Sequence, residues 1–465
     1  MPARSIRKLT LVLLALLVSL AGATAVFAAD TDGEATLAGD PSADVNMAWT
    51  LTAAFLVFFM QAGFAFLGAG LIRVKHTVNY LKKSFMDFCM TGLSFWAFGF
   101  ALMFGGSAIA SGMGEGNALV GFSGFFLAGE AYDVTTSMFW LFEMVFAATA
   151  ATIVAGMVAE RMRITAYLAY SFVIGAIIYP IYGHWVWGGG WRAGLPFGSG
   201  AIDFAGSGVV HAIGAMIGLA GAKMVGARTG KFDETGRPRA IKGHNAGYVV
   251  FGTFILFFGW FGFNAGSTVA ATELRISVIA VNTFLAGAAG AVAALYIGIA
   301  RTGKADILAA CNGSLAGLVG ITAPCAFVAP WAAVVIGVLA VPIQQSASSF
   351  IERKLRIDDV VGAFGVHGAA GLWGLLAVGI FADGSYGGVS GMVAGEFGQI
   401  VAQLISMATV TAWGLGMGFA MFWVLKKTMG LRASRQEEIE GLDVAEHGIE
   451  AYPADEPAAP ARARA

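Results

Sequence analysis

The sequence predicts an all-α polytopic membrane protein of eleven transmembrane helices, built as a five-plus-five inverted repeat with a final long helix. Three observations predict it. The chain is 57% apolar and 12% charged, more apolar surface than a soluble domain can carry without associating. Its 65 glycines are scattered through apolar runs instead of gathering in loops, the pattern of closely packed membrane helices. A Val-His-x-x-Gly/Ala motif occurs twice, at Val210-His211 and Val366-His367, 156 residues apart.

In chain order, residues 1–28 read as a signal peptide. Arg4, Arg7 and Lys8 form the basic start, Leu9 to Ala21 the apolar stretch, and Val26-Phe27-Ala28 the small residues for cleavage after Ala28. An uncleaved first helix is the alternative. Residues 29–45 form a polar, acidic lead-in on the outside, with no structural signal. Apolar runs of spanning length follow near 47–72, 84–105, 137–158, 164–183, 206–226, 246–265, 276–300, 305–324, 328–350, 360–381 and 398–425. They make up a transmembrane domain over 46–425. Residues 426–452 are of mixed charge and read as an ordered cytoplasmic tail. Residues 453–465 read as disordered, and no soluble domain is expected beyond residue 452.

Charge supports the count. With the N-terminus outside, the inside loops are 73–83, 159–163, 223–245, 301–304, 351–359 and the tail from Lys426. Of the 25 Lys and Arg beyond the leader, 23 fall inside, and only Arg192 and Arg275 fall outside. This asymmetry is the positive-inside rule, and one helix more or fewer would scramble it. It places the C-terminus in the cytoplasm. The outside loops, 106–136 and 184–205, are rich in glycine and aromatics. The net charge of −1 says nothing for nucleic acid, and no such partner is expected. Cys89, Cys311 and Cys325 form no spaced pair and read as buried free thiols.

Chemistry concentrates at a few positions. Asp203 stands at the mouth of the fifth span with His211 eight residues further along, about 12 Å deeper in a helix. His367 sits in a matching setting in the tenth span. A histidine inside a lipid-embedded bundle is a functional candidate by default, and two at equivalent repeat positions strengthen it. Two neutral imidazoles in contact can share one proton and still offer polar edges to a small solute. No metal site is expected, because these segments supply few further ligands. His76, His184, His244 and His447 fall at loops or helix ends, where surface or cap roles are expected. Phe146 and Phe263 read as core or as the lining of a cavity; the polar Asn264 and Ser267 beside the second favour the cavity. Trp187, in a Gly-rich outside loop, offers either a cation-binding face or an interfacial anchor. Asp203 reads as a helix cap with an electrostatic bonus. Glu143, in an apolar run, must be protonated or paired.

These residues resemble the ammonium transporter (Amt/Mep/Rh) family, bacterial Amt type, over about 46–452. The matching motifs are Asp203-Phe204-Ala205-Gly206 with His211, Phe364-Gly365-Val366-His367-Gly368, and Trp260-Phe261-Gly262-Phe263-Asn264-Ala265-Gly266-Ser267. Ala159-Glu160-Arg161 and Glu440-Gly441-Leu442-Asp443-Val444-Ala445-Glu446-His447-Gly448 match as well. The resemblance implies a homotrimer in the bacterial inner membrane, with one pore per subunit and no cofactor. His211 and His367 would be the pore pair, Phe146 and Phe263 the stacked gate, and Trp187, Ser267 and Phe146 the outer ammonium-recruiting site supported by Asp203. A PII-type regulatory protein would bind at the cytoplasmic face, where the tail packs. Two positions depart from the pattern of many bacterial members: Glu143 stands where Gln is common, and Gly362 where Asp is common. The competing readings are an ammonium sensor on the same scaffold, a Rh-like channel for neutral ammonia, and an intramembrane enzyme. No nucleophile motif supports the last.

Overall fold

A computed structural model describes residues 30–107, 113–114 and 116–452. The leader expected at 1–28 and the disordered end expected at 453–465 lie outside the described residues. Among the described residues ten helices are long and apolar enough to cross a membrane: α1 Ala43–Leu71, α2 Val74–Phe104, α3 Val134–Val158, α4 Ile164–Val186, α5 Ser207–Val225, α6 Ala246–Thr268, α7 Ile276–Thr302, α9 Pro330–Arg353, α10 Phe364–Phe381 and α11 Gly398–Thr428. The eleventh apolar segment, expected at 305–324, is the shorter α8, Ile307–Thr322. Its 16 residues reach about 24 Å, short of the roughly 30 Å hydrocarbon layer. Turns over 323–329 continue the path. Among the described residues the only β pairings are isolated bridges.

Small residues set the packing. Gly252 of α6 faces α1 so closely that a Cβ there would lie 2.4 Å from the Leu67 nitrogen and 2.6 Å from the Gly63 oxygen. Gly290 of α7 lies likewise on α8, where a Cβ would approach the Gly313 oxygen to 2.2 Å. Without a hydrophobic drive between helices in lipid, such backbone contact supplies the packing energy.

The repeat is visible in the backbone. α5 opens with a π-helical turn, Ser207–Ala212, and α10 with another, Phe364–Ala369. Each carries its histidine, and each has an acid eight residues before that histidine, Asp203 and Asp359. The Asp203 carboxylate accepts from the N–H groups of Gly206, Gly208 and Val209 at 3.0, 2.9 and 2.8 Å. The Asp359 carboxylate accepts from Ala363 and Phe364 at 3.0 and 2.7 Å. Both satisfy helix-start donors that would otherwise be buried unpaired. Gly362, the departure noted in the sequence, has φ of 76°, a backbone state suited to glycine; the acid of this half is Asp359.

At one end of the bundle, here called the basic face, ion pairs join Arg73, Glu160, Arg228 and Asp358. Glu160 accepts from Arg73 and pairs with Arg228 at 3.1 Å. Arg228 also grips Asp358 at 2.8 and 2.9 Å. Arg161 donates to the carbonyls of Ala159, Gly226 and Asp358. The tail carries two short helices, α12 Arg435–Glu440 and α13 Leu442–His447. Its Glu438 accepts from the Thr229 N–H at 2.6 Å, and its Asp443 accepts from Val78 and Asn79 at 3.1 and 2.8 Å.

Three expectations need correction. Residues 77–83, expected as loop, are the first turns of α2. Hydropathy marks the stretch that sits in hydrocarbon, whereas Asp443 caps the polar turns that precede it. The lead-in before α1 contains a short helix, Glu34–Gly39, whose first turn is fixed by Asp30 accepting from Gly33 and Thr36. His76 and His184 are buried, not surface residues. His76 accepts from the Leu442 N–H of the tail at 3.2 Å, and His184 bonds the carbonyls of Met103 and Asn117 at 2.6 and 2.7 Å.

Candidate functional site

The side chains singled out in the sequence meet along one line through the bundle. At the end opposite the basic face, here called the aromatic face, a recess of about 200 Å³ is lined by Phe146, Trp187, Ser267, Phe204 and Glu143 among others. Trp187 meets Phe146 edge to face at 6.2 Å. Phe146 stacks on Phe263 at 4.1 Å and closes the floor of the recess. Phe263 stacks on His211 at 5.3 Å, and His211 on His367 at 5.2 Å. Phe64 follows at 6.1 Å from His367. A small recess beyond, about 20 Å³, is lined by His367, Phe64, Thr152 and Tyr80. Six rings thus link the two recesses in a single file.

Sequence explains how each ring is aimed. Phe139, Phe142, Glu143 and Phe146 recur at helical spacing on α3, so they share one face. The π-helical turn of α5 starts at Gly206, whose φ is 107°. Such wide turns inside helices are frequent at functional sites. Ser207 locks this turn to the end of α8: its hydroxyl donates to the Val319 carbonyl, and its oxygen accepts from the Ala323 N–H, both at 2.7 Å. Trp187 Nε1–H donates to the Asp203 carbonyl at 2.7 Å, so the residue that caps α5 also orients the indole. The Asp203 carboxyl faces backbone donors and not the recess. Burial pushes it above its ordinary value, and the Val209, Gly208 and Gly206 N–H groups pull against that. The Ser267 hydroxyl donates to the Phe263 carbonyl at 2.7 Å, which leaves its lone pairs for a donor in the recess.

The histidine pair has a definite proton logic. The two Nδ1 atoms lie 3.2 Å apart, a hydrogen bond that requires one proton between them. One neutral ring is then the Nδ1–H tautomer with a bare Nε2; the other carries its proton on Nε2. Between them the two rings keep one N–H donor and one lone pair free of the mutual bond. His211 Nε2 is buried without a hydrogen-bond partner among the described residues.

Two contributors were not singled out in the sequence. Trp260 stacks on His211 at 5.2 Å and 20°, and its Nε1–H donates to Thr322 at 2.8 Å. It lies three residues before Phe263 on α6, so helical spacing alone carried the signal. Asp359 lies three residues before Gly362, the position at which the family pattern places an acid, so the motif alone does not mark it. Among the described residues no cluster of three or more His, Cys, Asp or Glu is arranged to hold a metal.

The sequence profile described as the Ammonium Transporter Family matches residues 48–452. The chain belongs to the ammonium transporter family. It is 53% identical to Ammonium transporter Amt2 of Archaeoglobus fulgidus over 451 residues, covering 94% of this chain and 93% of that protein. It is 38% identical to Ammonium transporter 1 member 3 of Solanum lycopersicum, covering 90% of this chain and 95% of that one. Among solved structures it is similar to one described as Sensor Amt Protein, with a TM-score of 0.80 and 36% identity, over 88% of this chain and all of that one. Candida albicans Mep2 superposes with a TM-score of 0.75 at 29% identity, over 84% and 87% of the two chains. The family is one of transporters and not of enzymes, and the chain is a multi-pass membrane protein.

Proposed function

We propose that this member of the family conducts ammonium by recruiting the cation at the aromatic face, stripping its proton and passing ammonia along the twin histidines. The observation that carries the reading is the file of stacked rings interrupted only by a histidine pair at 3.2 Å. Ammonium and potassium have similar size, so size alone separates them poorly. Ammonium differs in donating hydrogen bonds and in being able to lose a proton. The recess supports the first step: the faces of Trp187 and Phe146 attract a cation, and Ser267 offers it an acceptor. Beyond the Phe146–Phe263 stack the lining is apolar, and moving an ion into it costs several kcal/mol. Potassium cannot shed its charge and stops there. Ammonia pays little, and the His211–His367 pair accepts and returns its hydrogen bonds.

The charge asymmetry of the loops supports an orientation with the aromatic face outside and the tail in the cytoplasm of a bacterial inner membrane. The basic face and its docked tail form the surface for a PII-type partner. Large apolar side chains such as Phe254 on α6 and Phe284 on α7, 71% and 53% exposed in the single chain, suit lipid or the neighbouring subunits of a trimer. Mass determination of the purified protein in detergent distinguishes one copy from three.

The test of function is the current evoked by an ammonium pulse on proteoliposomes, with potassium and protein-free liposomes as controls. A current for ammonium alone means net charge crosses and the proton follows the ammonia. Internal alkalinisation without current means a neutral channel. Absence of both signals would sink the transport reading and favour a sensor, the role named in the description of the Sensor Amt Protein structure to which the chain is similar.

A further inference from the structure

We infer that Glu143 is the anionic half of the outer cation site, holding ammonium between its carboxylate and the aromatic faces of Phe146 and Trp187. The inference rests on the ammonium reading above and deepens it. Glu143 lies in the wall of the recess with Phe146, Trp187 and Ser267. It is only 6% exposed, and its Oε2 is buried with no hydrogen-bond partner among the described residues. No ion pair among the described residues reaches it either, although the basic face holds its own buried acids in dense networks.

A carboxyl group removed from water and left unpartnered is costly, so a structural role does not account for it. Asp203, the other acid near the recess, spends its oxygens on three backbone N–H groups. Tyr179 is the remaining ionisable group near Glu143, and its hydroxyl is also buried without a partner. It can donate to Glu143 but cannot supply a cation. What would let Glu143 ionise in the recess, where alone it would hold its proton, is a positively charged donor small enough to enter. Ammonium is one: four N–H groups, of which one meets the Glu143 carboxylate, one meets the Ser267 oxygen, and the rest face the rings. Glu143 also precedes Phe146 by three residues on α3, about 4.5 Å toward the open side, so the ion would be held just above the gate and not inside it.

The experiment compares the native protein with Glu143→Gln and Glu143→Asp in proteoliposomes, reading ammonium-evoked current or alkalinisation against ammonium concentration. Gln keeps the shape and removes the charge. It should raise the half-saturating concentration about ten- to a hundredfold, the range for losing a charged hydrogen-bond partner, with the limiting rate held within about twofold. Asp should recover most of the affinity, an outcome that a purely structural role would not produce. Native half-saturation in the Gln variant would overturn the inference. So would a lower limiting rate at unchanged half-saturation, which would move Glu143 to a later step. Calorimetric titration of the purified native and Gln proteins with ammonium chloride separates this from the transport reading. If the native protein carries no flux but binds ammonium, and Gln weakens binding at least about tenfold, the inference stands while the transport reading falls. Equal binding by the two proteins overturns it. Should the Gln variant not fold, the same titration of the Asp variant decides: affinity within about tenfold of native supports a carboxylate ligand, and unchanged binding on further shortening to Glu143→Ala overturns it.

Discussion

The Nδ1 atoms of His211 and His367 lie 3.2 Å apart, each carried on a π-helical turn from a different half of the chain. A shared proton needs both rings, so the two residues act as one unit. His211→Ala is expected to cut selective ammonium flux by at least about tenfold. The double variant with His367→Ala is expected to be no worse than about twofold beyond the single one, as for groups that act only together. Ammonium currents with potassium controls check both; unchanged selective flux in His211→Ala would remove the pair from the mechanism.

On the proposed reading the Phe146–Phe263 stack at 4.1 Å is the barrier to hydrated ions. Phe263→Ala is expected to open a leak, so that potassium pulses evoke a current where the native protein shows none. The truncation also removes a buried ring, at a cost of about 3–5 kcal/mol. The variant's thermal midpoint in detergent must therefore be read beside its currents.

Asp203→Ala would strip three buried N–H groups of their acceptor. Each unsatisfied donor costs about 1–3 kcal/mol, so a loss on the order of 3 kcal/mol or more is expected. Asp203→Asn keeps one acceptor oxygen and should lose less. A thermal midpoint for Asp203→Ala equal to that of the native protein would exclude the capping role.

The basic face should be acid-sensitive. Burial works to raise the Asp358 carboxyl, but the Arg228 hydrogen bond and the Arg161 charge hold it well below its ordinary 3.8. Glu160 is likewise opposed by burial and held below 4.5 by Arg228 and Arg73. Both folded values lie below the unfolded ones, so their contribution is present above about pH 4.5 and is lost as pH falls through the folded values. Asp359 has the opposite sign. Burial lifts it from 3.8 to about 6, so its ionisation costs stability as pH rises through that window. Limited proteolysis of the tail is expected to accelerate below about pH 4. Arg228→Met, which leaves Asp358 buried and unpaired, should bring the same acceleration at pH 7.

Much of this was legible in the sequence for physical reasons. A membrane segment must be apolar for its whole length, so eleven segments could be placed within a few residues, apart from the start of α2. Charge bears on the count because basic loops tend to be retained on one side of a membrane. The histidines stood out because a polar ring in an apolar run has a cost that function must offset. What stayed hidden was set by contacts distant in sequence. His76 and His184 look like surface residues until the tail and the 116–121 loop fold over them. Trp260 looks like core until the π-helical turn of α5 brings His211 to its face. Asp359 matches Asp203 in spacing to its histidine, but only the pair of caps reveals that the spacing is what the two halves share.

That spacing acts as a ruler. In each half the acid fixes where the helix begins, and the histidine is read out eight residues later. Deleting or adding one residue between them would leave the cap in place and swing the imidazole by about 100° around the helix axis, away from its twin. An insertion or deletion within 203–211 or 359–367 should therefore separate the two rings while leaving both caps in place, and an indel scan of the gene through these two intervals checks it.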